Sequence, residues 1–350
     1  MSVRLPNPLS AVALLAFLLP GHRLDGALDR AFAAAACLLA AGVLFVKPSP
    51  WEARKPAREA AWFCALLQLL YVLSFAYSAA FNGVQTGLQD WLELPRWLLL
   101  GAFCVHLIRH YDDQVREAME AGMLAAVCAG PLLFTSADYG YAAVLSACWF
   151  LFFSRSRLRL VYAGTALLLV FLEGSRPSWA AASLLASAAF AERLYENLLR
   201  GRTRFSAQLT LLSVALFLAV PVAFVRSLSL PAAEETHAGA AQALRAIRRS
   251  PVLGLGPARY EPASVVDNQY LAWFLRGGAL GGALILAAAA LVALRLLQSA
   301  SGDAARQLGA AAFIGCVLLM LLSGRFLDSF HLFYATAFVA TAIARTGRTA

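Results

Sequence analysis

The chain has 350 residues, of which 61% are hydrophobic and only 14% charged, with a mean hydropathy of +0.68. A soluble domain of this length carries roughly 25% charged residues, so a soluble globular enzyme is excluded. The formal charge of +9 is no nucleic-acid footprint, because Lys and Arg accumulate on the cytoplasmic loops of membrane proteins.

In chain order, apolar segments fall at 7–20, 31–46, 59–81, 95–108, 117–134, 140–153, 158–172, 178–191, 207–225, 269–294, 307–323 and 329–344. Several approach the roughly 20 residues that span a bilayer. The pattern predicts an all-α, polytopic integral membrane helical bundle of about 12 transmembrane helices. No repeat, tail or soluble insertion divides it, so residues 1–350 read as one membrane domain. The first segment, after Arg4, lacks an Ala-x-Ala site directly behind it and reads as an uncleaved helix. Cys37, Cys64, Cys104, Cys128, Cys148 and Cys316 lie inside apolar segments without metal-site spacing, and read as small core residues.

Charge sets the orientation. With a cytoplasmic N-terminus, strict alternation puts 18 of the 29 basic residues inside: Arg4; Lys47, Arg54, Lys55, Arg58; Arg109, Arg116; Arg155, Arg157, Arg159; Arg193, Arg200, Arg202, Arg204; Arg295, Arg306; Arg345 and Arg348. The short outer loops hold only Arg23, Arg30, Arg96, Arg176 and Arg325. Both termini are then cytoplasmic, and the long polar loop 226–267 faces the periplasm of a bacterial inner membrane.

The outer face keeps arginines against that bias. Arg176 sits in a tight turn between two segments, and Arg245, Arg248, Arg249 and Arg259 lie in the long loop. Guanidinium forks stay charged and donate paired hydrogen bonds, which suits phosphate and pyrophosphate. The plain reading of each is a side chain reaching to lipid headgroups. Thr236–Ser250 is expected as an amphipathic helix at the outer interface, with Ala240, Leu244 and Ile247 on one face and the arginines on the other edge. Pro251 stops it, and Gly254 and Gly256 permit a sharp turn. Asp267 and Asn268 precede the next helix, where Asp267 serves as N-cap, as general base, or as both. Tyr270 and Phe274 follow on one face and offer rings for a sugar. Gly277–Gly281 and Gly278–Gly282 form two Gly-xxx-Gly ridges for a close helix neighbour. Arg276 beside them is costly in lipid and is expected to face a partner or a polar cavity.

Together these segments resemble the O-antigen ligase and O-antigen polymerase superfamily of bacterial envelope enzymes. Gly174-Ser175-Arg176-Pro177-Ser178-Trp179 looks like the family's Ser-Arg-Gly-x-Trp segment. Ala243 to Gly256, ending Pro251-Val252-Leu253-Gly254-Leu255-Gly256, looks like its Pro-Leu-Leu-Gly-x-Gly loop. Asp267-Asn268-Gln269-Tyr270-Leu271, with Gly278 and Gly281 behind it, is similar to its His-Asn-x-Tyr-Leu … Gly-x-x-Gly motif. The resemblance implies a glycan donor on undecaprenyl diphosphate, a glycan or lipid acceptor, membrane lipids around the enzyme and other polysaccharide assembly proteins beside it. It also implies glycosyl transfer without a metal or other cofactor. Arg176 and the Arg245–Arg249 group would hold the diphosphate leaving group, and Asp267 would act on the acceptor hydroxyl. Arg259, Asn268, Tyr270 and Arg276 complete the expected substrate site. Ligases of the family typically carry His where this chain has Asp267, so a polysaccharide polymerase is the expectation, with a ligase as the alternative. Pro177 and Ala180 also depart from the family's usual Gly and Leu. A lipid-linked oligosaccharide flippase is the competing class; it would place charges at midplane and show two related halves.

Overall fold

The computed structural model describes residues 55–81, 113–133, 136–173, 176–199, 234–256, 269–300, 303–321 and 339. They form α1 (Lys55–Phe81), α2 (Asp113–Leu133), α3 (Ser136–Cys148), a π turn (Trp149–Phe153), α4 (Arg159–Glu173), α5 (Arg176–Leu199), α6 (Glu234–Ile247), α7 (Gln269–Ser299) and α8 (Ala304–Met320). There is no strand among the described residues. The described residues of the apolar segments 59–81, 117–134, 140–153, 158–172, 178–191, 269–294 and 307–323 are therefore helical, apart from the turn residues Leu158 and Leu321. The segments 7–20, 31–46, 95–108, 207–225 and 329–344 lie outside the described residues, Val339 excepted. α5 runs past its predicted end at 191 to Leu199, because Ala191-Glu192-Arg193-Leu194 are good helix formers and no Gly or Pro intervenes before Gly201.

Apolar residues all round make α3 the central helix. Every residue from Tyr141 to Phe153 is buried, with α2, α4, α5 and α8 packed about it. The bulky run Trp149-Phe150-Leu151-Phe152-Phe153 winds as a π turn, closed by Ser154 N–H to Trp149 O at 2.9 Å. Ser154 is extended and ends the helix. Its Oγ accepts from Ser156 N–H, whose Oγ accepts from Leu158 N–H, turning the chain into α4. Phe152 lies over Gly309 of α8, where a Cβ would meet the ring.

Contacts and short connections set the directions. α2 and α3, α3 and α4, α4 and α5, and α7 and α8 are each joined by a few residues, so neighbours run antiparallel. The Cys316 thiol donates to Ala181 O, and Leu184 packs at Gly315, so α5 and α8 run antiparallel as well. α1 packs on α7 with Leu70 at Gly281 and Ser74 at Arg276 O, which again opposes the two directions. One end of the bundle thus gathers Lys55, Arg58, Arg116, Arg155, Arg157, Arg159, Arg193, Arg295 and Arg306. Phe81, Arg176, Gln269 and Leu321 mark the opposite end. Basic residues of the described helices thus gather mainly at one end.

Among the described residues one helix is long and apolar enough to cross a membrane: Gln269–Gln298, at mean hydropathy 2.3 with only 17% of its most apolar window buried. A soluble core helix would be mostly buried. Its exposed Leu280, Leu286, Val292, Leu294 and Leu297, and Trp62, Leu66, Leu69 and Leu73 of α1, suit a lipid surround.

Candidate functional site

The site is built around a break in α7. Gly278 has φ 61° and ψ −162°, a conformation open to glycine alone, and it divides α7 into halves 269–277 and 279–299. A break leaves carbonyls on one side and N–H groups on the other without helical partners. The Pro251–Gly256 segment supplies both. Leu255 N–H donates to Leu275 O at 2.7 Å and Gly256 N–H to Arg276 O at 2.9 Å. In return, Ala279 N–H donates to Pro251 O at 2.8 Å and Leu280 N–H to Val252 O at 3.2 Å. This strap is itself folded by Gly254 N–H to Ser250 O at 2.9 Å.

Two glycines make the contact possible. Gly254 (φ +71°) and Gly278 face each other. A Cβ on Gly254 would lie 2.5 Å from Gly278 N, and one on Gly278 would lie 2.5 Å from Gly254 N. The expected glycine ridges are corrected accordingly: Gly278 is not a ridge position of a continuous helix but the break itself. Gly281 does receive a neighbouring helix, through Leu70, while Gly282 receives the ring of Phe274 from the first half of its own helix.

α6 also departs from expectation. Its buried face is Ala243, Ala246 and the half-buried Ile247, as expected for Ile247 but not for Leu244, which is 53% exposed; the side chain of Ala240 lies outside those described. Ala243 packs with Leu271 and Ala272, and Ala246 with Leu255 and Leu275. The pairs advance together, so α6 runs parallel to the first half of α7. Alanines win the buried face because they let two backbones approach closely, which Leu244 would prevent. Arg245, Arg248 and Arg249 are exposed on the face turned away from that packing, level with the helix break.

The other expected residues distribute as follows. Arg176 is the first residue of α5. Its turn is fastened by the buried Trp179, whose Nε1–H donates to Val170 O of α4 at 2.8 Å. Tyr270 is half-buried, and its hydroxyl donates to Leu318 O at 3.1 Å; Gln269 N–H donates to Leu321 O at 3.1 Å. The mouth of α7, two residues after Asp267, is therefore pinned to the end of α8. Tyr270 and Phe274 both have packing duties, which gives their rings a role besides the one expected. Arg276 closes the first half of α7, half-buried with its Nε buried. Arg259, Asp267 and Asn268 lie outside the described residues.

The helix directions bring the Arg176 turn, the α7 mouth and the end of α8 to one end of the bundle. From Ala181 to Arg176 and from Cys316 to Leu321 are five residues each, about 7.5 Å along antiparallel helices. The arginines of α6 and Arg276 lie about 10 Å deeper, seven residues below Gln269.

One residue that sequence reading missed joins this site. Ser74 of α1, 1% exposed, has its Oγ 2.6 Å from Leu253 O and 2.7 Å from Arg276 O. A serine in an apolar segment gives no sequence signal, since most bond back within their own helix, as Ser146 and Ser187 do. No protein-family model and no curated protein matches the chain.

Proposed function

We propose that this protein is a glycosyltransferase of the bacterial inner membrane, with about 12 spans, both termini cytoplasmic and its site on the periplasmic side. It polymerises polysaccharide repeat units carried on undecaprenyl diphosphate; ligation of a finished glycan to another acceptor is the alternative.

The order of groups along the bundle carries the reading. An apolar half-helix (279–299) is followed by arginines at the level of the break (Arg245, Arg248, Arg249, Arg276), then by the α7 mouth behind Asp267 and the Arg176 turn about 10 Å further out. A polyprenyl diphosphate glycan presents the same order: hydrocarbon, diphosphate, sugar. Arginines near the departing diphosphate would offset the charge that develops on it. A carboxylate at the helix mouth would take the proton of the attacking hydroxyl. The second half of α7 is apolar from Ala279 to Leu294, 16 residues or about 24 Å, which spans most of a bilayer core with Arg295 reaching out at its far end. Arg276 then sits just outside the hydrocarbon instead of in it.

The broken helix itself favours the flippase reading, because transporters bind cargo at such breaks near the midplane. Here the strap already occupies both ends of the break, which weighs against a cargo site there.

The test is to supply membranes holding the full chain with an undecaprenyl diphosphate-linked repeat unit and to follow product length for wild type, Arg176→Ala and Asp267→Ala. A ladder of longer lipid-linked glycans from wild type, lost in both variants, is the expected result. Transfer to a different acceptor without elongation assigns a ligase. Movement of an unchanged glycan across the bilayer overturns the enzyme reading.

A further inference from the structure

Serine in a helix ordinarily donates to the carbonyl four residues back, as Ser146 does to Ala142 O and Ser187 to Ser183 O, both at 2.8 Å. Ser74 departs from that habit. Its hydroxyl leaves α1 for two carbonyls, one on the strap (Leu253 O, 2.6 Å) and one on the last turn before the helix break (Arg276 O, 2.7 Å). A hydroxyl has one proton for these two acceptors. The one proton is shared between Leu253 O and Arg276 O, the latter also receiving Gly256 N–H. Three separate stretches of chain thus meet at one buried oxygen: α1, the strap and α7.

We infer that Ser74 is a positioning residue for the diphosphate-binding part of the site, locking the strap into the break and so fixing the level of Arg248, Arg249 and Arg276. The inference rests on the reading of those arginines as the diphosphate clamp. The strap links them through backbone, beside the packing of Ala246 on Leu275: Arg249 stands two residues before Pro251, and Arg276 O is bonded both to Gly256 N–H and to Ser74. Arg248 N–H and Arg249 N–H bond back to Leu244 O and Ala246 O, so the arginine turn is continuous with α6 and moves with the strap. Strap and helix are paired by four backbone hydrogen bonds and by Leu255 packed on Leu275, while α1 meets the strap by a polar contact only at Ser74 among the described residues. Ser74 ties both to a third element whose other end lies about 30 Å away at the basic end of the bundle.

Three variants of the full chain in lipid nanodiscs decide the matter: Ser74→Ala, Ser74→Thr and, as control, Ser187→Ala on an exposed face of α5. The readouts are the Kd for undecaprenyl diphosphate and amide exchange at Leu255, Gly256, Ala279 and Leu280. Ser74→Ala is expected to weaken binding and speed exchange at these amides, each about tenfold, with the 141–153 core unchanged. Ser74→Thr, which keeps the hydroxyl, should stay within about threefold of wild type. Faster exchange with unchanged Kd reduces Ser74 to a structural role and overturns the inference; so does unchanged exchange. Wild type that binds the carrier yet transfers no sugar defeats the enzymatic reading alone, and the lock is still judged by Ser74→Ala. Wild type that does not bind the carrier defeats both.

Discussion

Adjacent glycines in α7 should respond to the same substitution with opposite signs. At Gly278 an added Cβ falls on the Val252 carbonyl and within 2.5 Å of Gly254 N, all backbone, which cannot rotate away. The φ of 61° adds strain of about 1–3 kcal/mol for any L side chain. The least costly escape is release of the strap, which forfeits its four backbone hydrogen bonds to the broken ends at about 1 kcal/mol each. Gly278→Ala should therefore destabilise by about 5–7 kcal/mol. At Gly277 nothing lies within 4 Å of an added Cβ, so Gly277→Ala should be neutral or gain up to about 1 kcal/mol from helix propensity. Equilibrium unfolding by SDS titration from mixed micelles measures both. A Gly278→Ala protein within about 1 kcal/mol of wild type would refute the strapped break.

Three other outcomes follow from packing and depth. Gly309→Ala sets a Cβ against Phe152 in the centre of the bundle and should destabilise by about 1–3 kcal/mol in the same titration. Ala246→Leu should lift α6 from Leu255 and Leu275 and cost about 1–3 kcal/mol, whereas Leu244→Ala on the exposed face should stay within about 0.5 kcal/mol, the reverse of what the sequence pattern implies. In a background without reactive cysteines, Gln242→Cys should react with a membrane-impermeant maleimide from the periplasmic side, while Leu286→Cys and Val292→Cys, exposed yet within the apolar half of α7, should react only after detergent. Equal labelling of all three would place α7 outside the bilayer.

Helical character was legible in the sequence because apolar runs of this length leave little else, and helix directions because short basic connections recur on alternate sides. Pro251-Val252-Leu253-Gly254-Leu255-Gly256 was legible as a turn, from the two glycines and the proline. Its docking partner was not. Gly278 reads equally well as one ridge of a Gly-xxx-Gly pair, since a helix break and a helix ridge ask for the same residue. The buried face of α6 was misjudged because hydrophobicity ranks Leu244 above Ala243 and Ala246, whereas close approach of two helices ranks the small side chains first. Ser74 had no signal at all: what distinguishes it from Ser146 is the presence of carbonyls 179 and 202 positions away.

An unbroken α7 would have satisfied its own backbone, so the break has to be understood through what it permits. In a hydrocarbon surround every N–H and C=O must find a partner, and irregular backbone persists only where protein supplies one. The strap supplies partners for four of them: Leu275 O, Arg276 O, Ala279 N–H and Leu280 N–H. It thereby brings a loop from between α6 and α7 to backbone contact with a helix, and at Gly254 and Gly278 the two approach too closely for any Cβ. That contact lies where the apolar run 279–294 of α7 begins, the level at which a lipid-linked substrate would change from hydrocarbon to charge. Arg276 lies just above the break, and the α6 arginines lie at about its level on the exposed face of α6. The glycines that look like helix-packing residues therefore serve another end, holding a loop, and the cations attached to it, at a fixed depth.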